Sequence, residues 1–541
     1  MDSSASSWLR TRQCGVLAHV SSLPGRYGIG NLGAGARAFV DLLAAAGSGY
    51  WQMCPLGPTG YGDSPYQSFS SFAGNPYFID WDELLASKLV DADDLAGLRA
   101  LPEGRVDYGA LYHAFWPVAR RAHSRFVERG RHVEGWGDYE NFCLRAGTWL
   151  QPYAAFMALK ERFGGRPWTD WPAAYRDSGH ISGGDLPGGT AREADLHIFL
   201  QWIFSRQWQA LRAHARAKGV GLIGDIPIFV ALDSADTWSR REVFRLDAEG
   251  RLVAAAGVPP DYFSDRGQYW GNPLYDWDYL ARTNFTWWID RLRAAFASYD
   301  VVRLDHFRGF DTFWEIPGTT QDARVGRWVA GPGDAFFTAL QRALPDVRII
   351  AEDLGYITPG VVRLRRVAGL PGMKILQFGY HHDDNNVNLP HFHPVDSVVY
   401  PGTHDNDTTR GWLESLTPEA YAEVDAYFQL NGTRSAWPMI RAAMASPARL
   451  AVIPLQDLLD LPSSARLNRP GTPDGNWTWR CTPAQAAELA AGPAAQFRRL
   501  RTLFDRDGDP KQRDYSAPPG TAAPAVEHTP STPALSALHS S

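Results

Sequence analysis

Eight short apolar segments, most of them separated by helical patterns, predict an α/β fold of the (β/α)8 barrel type. Alternating strands and helices are typical of a parallel sheet, and eight such units match the strand count of a TIM barrel. A doubly wound open sheet is the structural alternative. The predicted strands are 15–23, 51–56, 220–230, 300–305, 348–352, 373–379, 398–403 and 450–455.

Apolar residues recur at helical spacing between most of these strands, most clearly at 35–46, 287–297, 333–343 and 361–367. We interpret residues 1–56 as the start of the barrel and residues 220–504 as its remainder. No separate C-terminal β-domain is predicted.

Residues 57–219 separate the second and third predicted strands and are too many for one strand-to-helix connection. Helical stretches at 108–129, 148–163 and 196–218 predict that this insertion is a mostly helical subdomain. A second insertion, 231–284, is rich in Asp, Trp, Gly and Pro, and we predict a functional loop there. Residues 505–541 become polar and then rich in Pro, Ala, Ser and Thr, which predicts a disordered tail.

Charge and composition exclude several classes of protein. The net charge is −6 with acids and bases interspersed and no basic stripe, which argues against a nucleic-acid partner. No apolar run is long enough to span a membrane, and the N-terminus lacks a signal-peptide core. The four cysteines lack zinc-type or redox-type spacing, which indicates free thiols. We therefore expect a cytoplasmic protein.

Four of the predicted strands end in a carboxylate: Asp225, Asp305, Glu352 and Asp405. The C-terminal ends of barrel strands surround one mouth, where catalytic groups lie. An acid at such a position often only caps the next helix. Capping does not require acids, however, because Ser, Thr and Asn serve as well. Four acidic strand ends therefore favour a carboxylate-lined site.

Cleavage of a glycosidic bond uses two carboxyl groups, one as the acid and one as the nucleophile or base. The acid needs a raised pKa, whereas the nucleophile must stay ionised. Arg303 precedes Asp305 by two residues, so both side chains point to one face of the strand. A guanidinium at this place favours the carboxylate form, which makes Asp305 a physically sensible nucleophile.

A metal site is the competing interpretation of the acid cluster. Residues 403–407, Thr-His-Asp-Asn-Asp, offer hard ligands, but they have neither EF-hand nor zinc-enzyme spacing. We therefore predict no catalytic metal. An enolase-like metal enzyme on the same barrel remains an alternative. A carbohydrate-binding protein without activity is a second alternative, but such a protein would need only the aromatic side chains and would leave the carboxylates unexplained.

Seven motifs occur in order along the chain: 60–67 (GYGDSPYQ), 259–264 (PPDYFS), 268–273 (QYWGNP), 302–309 (VRLDHFRG), 351–355 (AEDLG), 402–408 (GTHDNDT) and 468–472 (NRPGT). Together they resemble the amylomaltases, which are the bacterial and plant 4-α-glucanotransferases of glycoside hydrolase family 77. The resemblance covers roughly residues 14–500. It is weaker at 380–393 and has no counterpart for the tail at 516–541.

The resemblance implies a role for individual residues. Asp305 corresponds to the nucleophile, Glu352 to the general acid/base, and Asp405 to the acid that stabilises the oxocarbenium-like state. The remaining residues are implied to bind substrate. Around the donor sugar these are Ser64, Tyr66, Asp225, Arg303 and His404; on loops flanking the groove Asp261, Gln268, Trp270 and Asn468; and at a more distant glucan position Tyr61.

The resemblance further implies a retaining 4-α-glucanotransferase that needs no cofactor. Its partners are α-1,4-glucans and maltooligosaccharides, with glucose as an acceptor, and we expect a monomer or a weak homodimer. An α-glucan hydrolase of the α-amylase type is the alternative, because the three acids are common to both activities.

Overall fold

The computed structural model describes residues 8–60, 62–176, 186–260, 265–380, 386–472 and 474–508. Within these ranges the strands are β1 (Gln13–Leu17), β2 (Tyr50–Gln52), β3 (Gly221–Pro227), β4 (Ala254–Val258), β5 (Gln268–Pro273), β6 (Val301–Asp305), β7 (Thr312–Pro317), β8 (Arg327–Ala330), β9 (Ile349–Ala351), β10 (Gly372–Ile375), β11 (Ser397–Tyr400) and β12 (Leu450–Pro454).

Eight of these strands form a closed parallel barrel in the order β1-β12-β11-β10-β9-β6-β3-β2. The barrel closes at β1, where Gln13 lies opposite Leu450 of β12 and Gly15 lies opposite Tyr50 of β2. The predicted (β/α)8 barrel is confirmed, and the open sheet is wrong. Each predicted strand overlaps one barrel strand, although the first ends at Leu17 and is followed by a short 3-10 helix.

Both faces of the barrel strands are buried, which is why the strands are nearly continuous apolar runs rather than alternating ones. Val301 and Ile350 belong to the cluster inside the barrel, whereas their neighbours Val302 and Ile349 pack in the larger core outside it. The closed interior therefore places the chemistry at the strand ends.

The helices are α1 (Ala34–Ala46), α2 (Trp81–Ala86), α3 (Ala96–Arg99), α4 (Tyr108–Glu128), α5 (Tyr139–Arg145), α6 (Gly147–Arg162), α7 (Ala173–Arg176), α8 (Gly188–Ala217), α9 (Ala235–Ser239), α10 (Trp277–Arg282), α11 (Thr286–Ser298), α12 (Gly333–Ala343), α13 (Pro359–Val367), α14 (Thr409–Ser415), α15 (Pro418–Phe428), α16 (Trp437–Ala445), α17 (Leu455–Leu458), α18 (Pro483–Ala491) and α19 (Pro493–Leu503). Several begin at a capping residue, such as Thr358, whose side chain accepts from Val361 N before α13.

Helices α2 to α8 lie between β2 and β3. They pack through aromatic side chains: the ring of Phe126 on α4 lies 4.7 Å from that of Phe199 on α8, and Trp202 is 5.2 Å from Phe126. These large apolar rings belong to the same hydrophobic core that surrounds the barrel strands, so the segment between β2 and β3 packs onto the barrel.

A second sheet, antiparallel and four-stranded, has the order β5-β4-β7-β8. It was not predicted, because residues 231–284 were interpreted as a loop, yet this segment contributes β4 and β5. The composition of β4, Ala-Ala-Ala-Gly-Val, carries little strand signal. Its pairing with β7 joins residues about sixty positions apart, Gly257 opposite Trp314. Tertiary pairing therefore creates a sheet that local sequence does not indicate.

The ordered chain extends past residue 504, the last residue of the predicted barrel segment. Arg506 is 1% exposed and donates to the carbonyl groups of Gln13, Ala443, Met444, Ser446, Ala448 and Arg449. The tail predicted from 505 therefore does not begin there, and residues 509–541 lie outside the described residues. In the part of the chain that the structure describes, no helix is both long and apolar enough to cross a membrane.

Candidate active site

Strand register brings the predicted carboxylates to one end of the barrel. Asp225 of β3 pairs with Arg303 of β6, and Asp305 is the last residue of β6. Glu352 comes directly after β9, which pairs with β6. Asp405 follows β11. Because these strands run parallel in one closed barrel, their C-terminal ends converge on a common mouth.

Arg303 is the central cation of this mouth. Its Nη1 lies 2.9 Å and 2.7 Å from the two carboxylate oxygens of Asp225 and 2.8 Å from Oδ1 of Asp305. Arg303 and Asp225 are buried, whereas the side chain of Asp305 is 28% exposed. Burial would lower the pKa of Arg303, but the two carboxylates raise it well above its usual range. Asp305 thus has a fixed positive charge behind it and an open side towards the mouth.

Glu352 is held by two backbone amides. His306 N donates to Oε2 at 2.7 Å, and Leu354 N donates to Oε1 at 2.9 Å. Burial raises the pKa of Glu352 to about 7; the charge on Asp305 adds to this shift, while Arg303 and the two amides oppose it. Glu352 is therefore a carboxyl group that exchanges its proton near neutral pH, as a general acid/base must.

Asp405 has the opposite electrostatic environment. Its Oδ2 lies 3.3 Å from His404 Nε2, and Asn468 Nδ2 donates to its Oδ1 at 2.6 Å. Burial alone would raise the pKa of Asp405, but His404, Asn468 and Arg303 together hold it well below its usual range. Burial likewise opposes the charged form of His404, yet Asp405 raises the pKa of this imidazole. Asp405 is therefore a carboxylate at every ordinary working pH.

An aromatic wall closes the side of the mouth next to Asp225. The Tyr66 hydroxyl donates to Asp225 Oδ2 at 2.9 Å, and its ring stacks on His404 at 5.1 Å. The Trp477 ring lies 5.8 Å from Tyr66 and 5.9 Å from His404. Ser64 Oγ accepts from Tyr66 N at 3.3 Å and so supports the loop that carries Tyr66.

The other side of the mouth is lined by the second sheet. Trp270 of β5 donates through Nε1 to Gln268 Oε1 at 3.1 Å. Its ring meets the His306 ring edge to face at 4.9 Å, and Phe229 lies behind both. Trp270 therefore reaches the turn whose amide holds Glu352. Of the predicted binding residues, Tyr61 and Asp261 lie outside the described residues.

Sequence reasoning missed three residues of this site: His306, Arg466 and Trp477. His306 sits in the Asp305 motif, but nothing local shows that its backbone is left-handed, with φ at +50°. Arg466 Nη2 donates to the Asp405 carbonyl at 2.7 Å. Trp477 lies more than 70 residues from His404, so only the fold brings them together. The many Trp residues were the one available signal, and they do not indicate which one faces the mouth.

The described residues contain no group of three or more His, Cys, Asp and Glu side chains arranged to hold a metal ion. The carboxylate oxygens at the mouth instead meet nitrogen donors from Arg303, His404, Asn468 and backbone amides. The site is thus built from carboxylates, their hydrogen-bond donors and aromatic walls.

A (β/α)8 barrel that gathers carboxylates at the C-terminal ends of its strands is typical of an enzyme with its active site at that mouth. The model of the 4-alpha-glucanotransferase family matches residues 18–486 of the chain. The chain is 48% identical over 503 residues to a 4-alpha-glucanotransferase of Thermus thermophilus, covering 92% of this chain and 99% of that protein. It is 39% identical to the chloroplastic/amyloplastic 4-alpha-glucanotransferase DPE1 of Arabidopsis thaliana, covering 92% and 86%. The chain therefore belongs to the 4-α-glucanotransferase family.

Solved structures agree with this assignment. The amylomaltase of Streptococcus agalactiae, determined in complex with acarbose, superposes with a TM-score of 0.85 at 37% identity, covering 92% of this chain and all of that one. The amylomaltase of Corynebacterium glutamicum gives a TM-score of 0.72 at 19% identity, with coverage of 92% and 76%, and shows the shared fold.

Proposed function

We propose that this member of the family is a retaining 4-α-glucanotransferase that works through a covalent glucosyl-enzyme on Asp305. It moves α-1,4-glucan segments from a maltooligosaccharide or glucan donor to the 4-hydroxyl of an acceptor glucan or glucose. The observation that carries this proposal is that two neighbouring carboxyl groups have different environments. Glu352 is buried and has a raised pKa, whereas Asp305 is paired with Arg303 and open to the mouth.

In the first half of the reaction, Glu352 donates its proton to the glycosidic oxygen while Asp305 attacks C1 of the donor sugar. The bond from C1 to that oxygen breaks, and the shortened glucan leaves as an alcohol. In the second half, the acceptor 4-hydroxyl gives its proton to Glu352 and its oxygen attacks C1. The bond from C1 to Asp305 breaks, and both carboxyl groups return to their starting state.

Asp405 supports both halves as a permanent anion. Positive charge develops on the sugar ring as the bond to C1 breaks, and a fixed carboxylate stabilises that charge. His404 and Asn468 keep Asp405 ionised and in position, while Tyr66 and Asp225 fix the neighbouring wall. We assign the donor sugar to the space between these groups and Asp305.

The acceptor side is formed by Trp270, Gln268 and His306. An aromatic cover at this position excludes water from the intermediate and favours a sugar acceptor.

The remaining predicted binding residues have less direct roles. Ser64 supports the loop that carries Tyr66 and so acts on the substrate through Tyr66. Asp261 is proposed to take part in the same cover and Tyr61 to bind glucan farther from the cleavage point, as the resemblance implies.

Maltotriose tests transfer against hydrolysis, the competing activity. The enzyme should convert it into glucose and a ladder of longer maltooligosaccharides, which chromatography resolves. Products shorter than maltotriose alone would instead show a hydrolase. Reaction with 5-fluoro-α-glucosyl fluoride followed by peptide mass spectrometry should place a glucosyl adduct on Asp305, and an adduct elsewhere would overturn the nucleophile assignment.

A further inference from the structure

Two exposed aromatic side chains lie on connections at the mouth end of the barrel and take no part in the mechanism above. Tyr356 follows Glu352 by four residues and is 75% exposed, and Trp328 on β8 is 39% exposed. Four residues of extended chain span at most about 14 Å, so Tyr356 lies close to the general acid/base. Both belong to strand-to-helix connections, which emerge at the C-terminal face of the barrel.

Arg308 joins the two rings. Its guanidinium carbon lies 3.7 Å from the centre of the Trp328 ring and 5.6 Å from that of Tyr356. The same guanidinium donates to the Tyr356 carbonyl through Nη1 and to Thr312 Oγ1 at 3.4 Å through Nη2. Arg308 is itself buried, so this contact fixes the loop after β9 against the turn after β6.

Trp328 is fixed on a second side. It pairs across the sheet with Trp314, and the two rings meet edge to face at 5.1 Å. Trp314 in turn donates through Nε1 to the Ala323 carbonyl at 2.8 Å. The Trp328 ring is therefore held by Arg308 and by Trp314 before any ligand arrives, which reduces the entropy that it would lose on contact with one.

Packing alone does not account for the Tyr356 ring. A side chain that remains three-quarters exposed buries little apolar area and adds little to stability. Trp328 already covers Arg308 at the closer distance. An exposed aromatic face whose neighbouring charge is engaged suits the apolar face of a sugar ring, and the tyrosine hydroxyl adds a hydrogen-bond donor.

We propose that Tyr356 and Trp328 form a glucan-binding platform that contacts sugar units beyond the cleavage point on the acceptor side. The inference rests on the proposed glucan transfer. The acceptor side is inferred from the chain. The proposed donor contacts come from Asp225, Arg303, His404 and Asp405, whereas Tyr356 follows Glu352 by four residues, and Trp328 lies on β8, the edge of the second sheet opposite to β5, which carries Trp270. A long acceptor reaches the platform, and glucose does not.

Acceptor length provides the test. With one donor at fixed concentration, initial rates of transfer to isotopically labelled glucose and to labelled maltohexaose give a ratio of two kcat/KM values. Tyr356→Ala and Trp328→Ala should each lower the maltohexaose-to-glucose ratio about three- to tenfold, the loss of one aromatic contact. An unchanged ratio in both variants would overturn the platform.

Leu503→Ala is the matched control. Leu503 is 58% exposed at the end of α19, three residues before Arg506, which binds the start of β1 at the opposite end of the barrel. This variant should keep the wild-type ratio. Thermal unfolding of each variant reports its folding, and Tyr356→Ala decides the matter if Trp328→Ala does not fold.

A direct binding measurement separates this inference from the proposed function. Wild-type enzyme that makes no labelled transfer product would refute glucan transfer. Calorimetric titration of maltohexaose into the full-length Asp305→Ala protein, with and without Tyr356→Ala, still tests the platform. Weaker binding in the double variant supports it, and equal affinity refutes it.

Discussion

The backbone N–H of His306 donates to Oε2 of Glu352 at 2.7 Å. His306 follows Asp305 directly and has a left-handed backbone, with φ at +50° and ψ at +48°. Non-glycine residues adopt this conformation at some energetic cost, and such strain is found where function requires a set geometry. The turn after β6 thus carries one carboxylate on Asp305 and holds the second, Glu352, with the next peptide. Moving one of these groups moves the other.

Asp305→Ala should abolish transfer and hydrolysis together. No other carboxylate can attack C1 from the same place, so we expect kcat to fall at least about 10³-fold. Azide added to the variant should restore turnover of an activated α-glucosyl donor and give the β-glucosyl azide. Substantial unaided activity in Asp305→Ala would rule out its role as nucleophile.

The pH profile should report the protonation of Glu352. Its pKa is raised to about 7, and the proposed reaction begins with the protonated form of this residue. We therefore expect kcat/KM for maltotriose to decline as pH rises above about 7. Glu352→Gln cannot release a proton, so its residual activity should lack this decline. A decline that persists in Glu352→Gln would assign it to another group.

The same shift should cost stability at high pH. The pKa of Glu352 is higher in the folded protein than in the unfolded chain, about 7 against 4.5. The contribution of protonated Glu352 to the free energy of unfolding is complete below about pH 4.5. It is lost as pH rises to about 7, because the unfolded chain releases the proton at lower pH than the folded protein does. The difference is on the order of 3 kcal/mol. Denaturant unfolding should find that the wild type loses stability between about pH 4.5 and about pH 7 and that Glu352→Gln does not lose it, because Gln does not ionise. Equal pH dependence of the two proteins would contradict the shift.

Arg303→Ala should lower stability as well as activity. The change leaves Asp225 buried without its cation, and loss of one partner of a buried ion pair costs about 3–5 kcal/mol. Arg303→Lys keeps a charge but loses the planar fork, so it should recover more stability than activity. Thermal unfolding and kcat are measured on both variants. If the activity lost in Arg303→Lys is fully explained by the fraction of the protein that is unfolded, the role of Arg303 is purely structural.

Two substitutions at Tyr66 separate its hydroxyl from its ring. Tyr66→Phe removes the hydrogen bond to Asp225 but keeps the stacking on His404, and a hydrogen bond to a charged group contributes about 1.5–3 kcal/mol. We expect kcat/KM to fall about 10- to 100-fold. Tyr66→Ala removes the wall as well and should lose more. Identical values for the two variants would mean that the ring contributes nothing.

Local rules predicted those parts of the site that depend on local geometry. The period of two along a strand placed Arg303 beside Asp305, and the common edge of parallel strands placed Glu352 near both. No such rule gives the aromatic wall, because Trp477 meets His404 only through the tertiary fold. The sheet that carries Trp270 was also missed, since Ala254–Val258 has little strand propensity and pairs with distant residues. Environment likewise sets the different pKa shifts of Glu352 and Asp405.

Arg506 has a consequence for how the chain is made. Its guanidinium ties the beginning of β1 to residues flanking α16 and β12, and β1 itself pairs with β12. During synthesis β1 emerges from the ribosome first, and its neighbour β12 emerges only after most of the chain has been made. Domains tend to fold as units while they are being translated. The barrel therefore cannot close until late in translation, and the edge of β1 that pairs with β12 stays open until then.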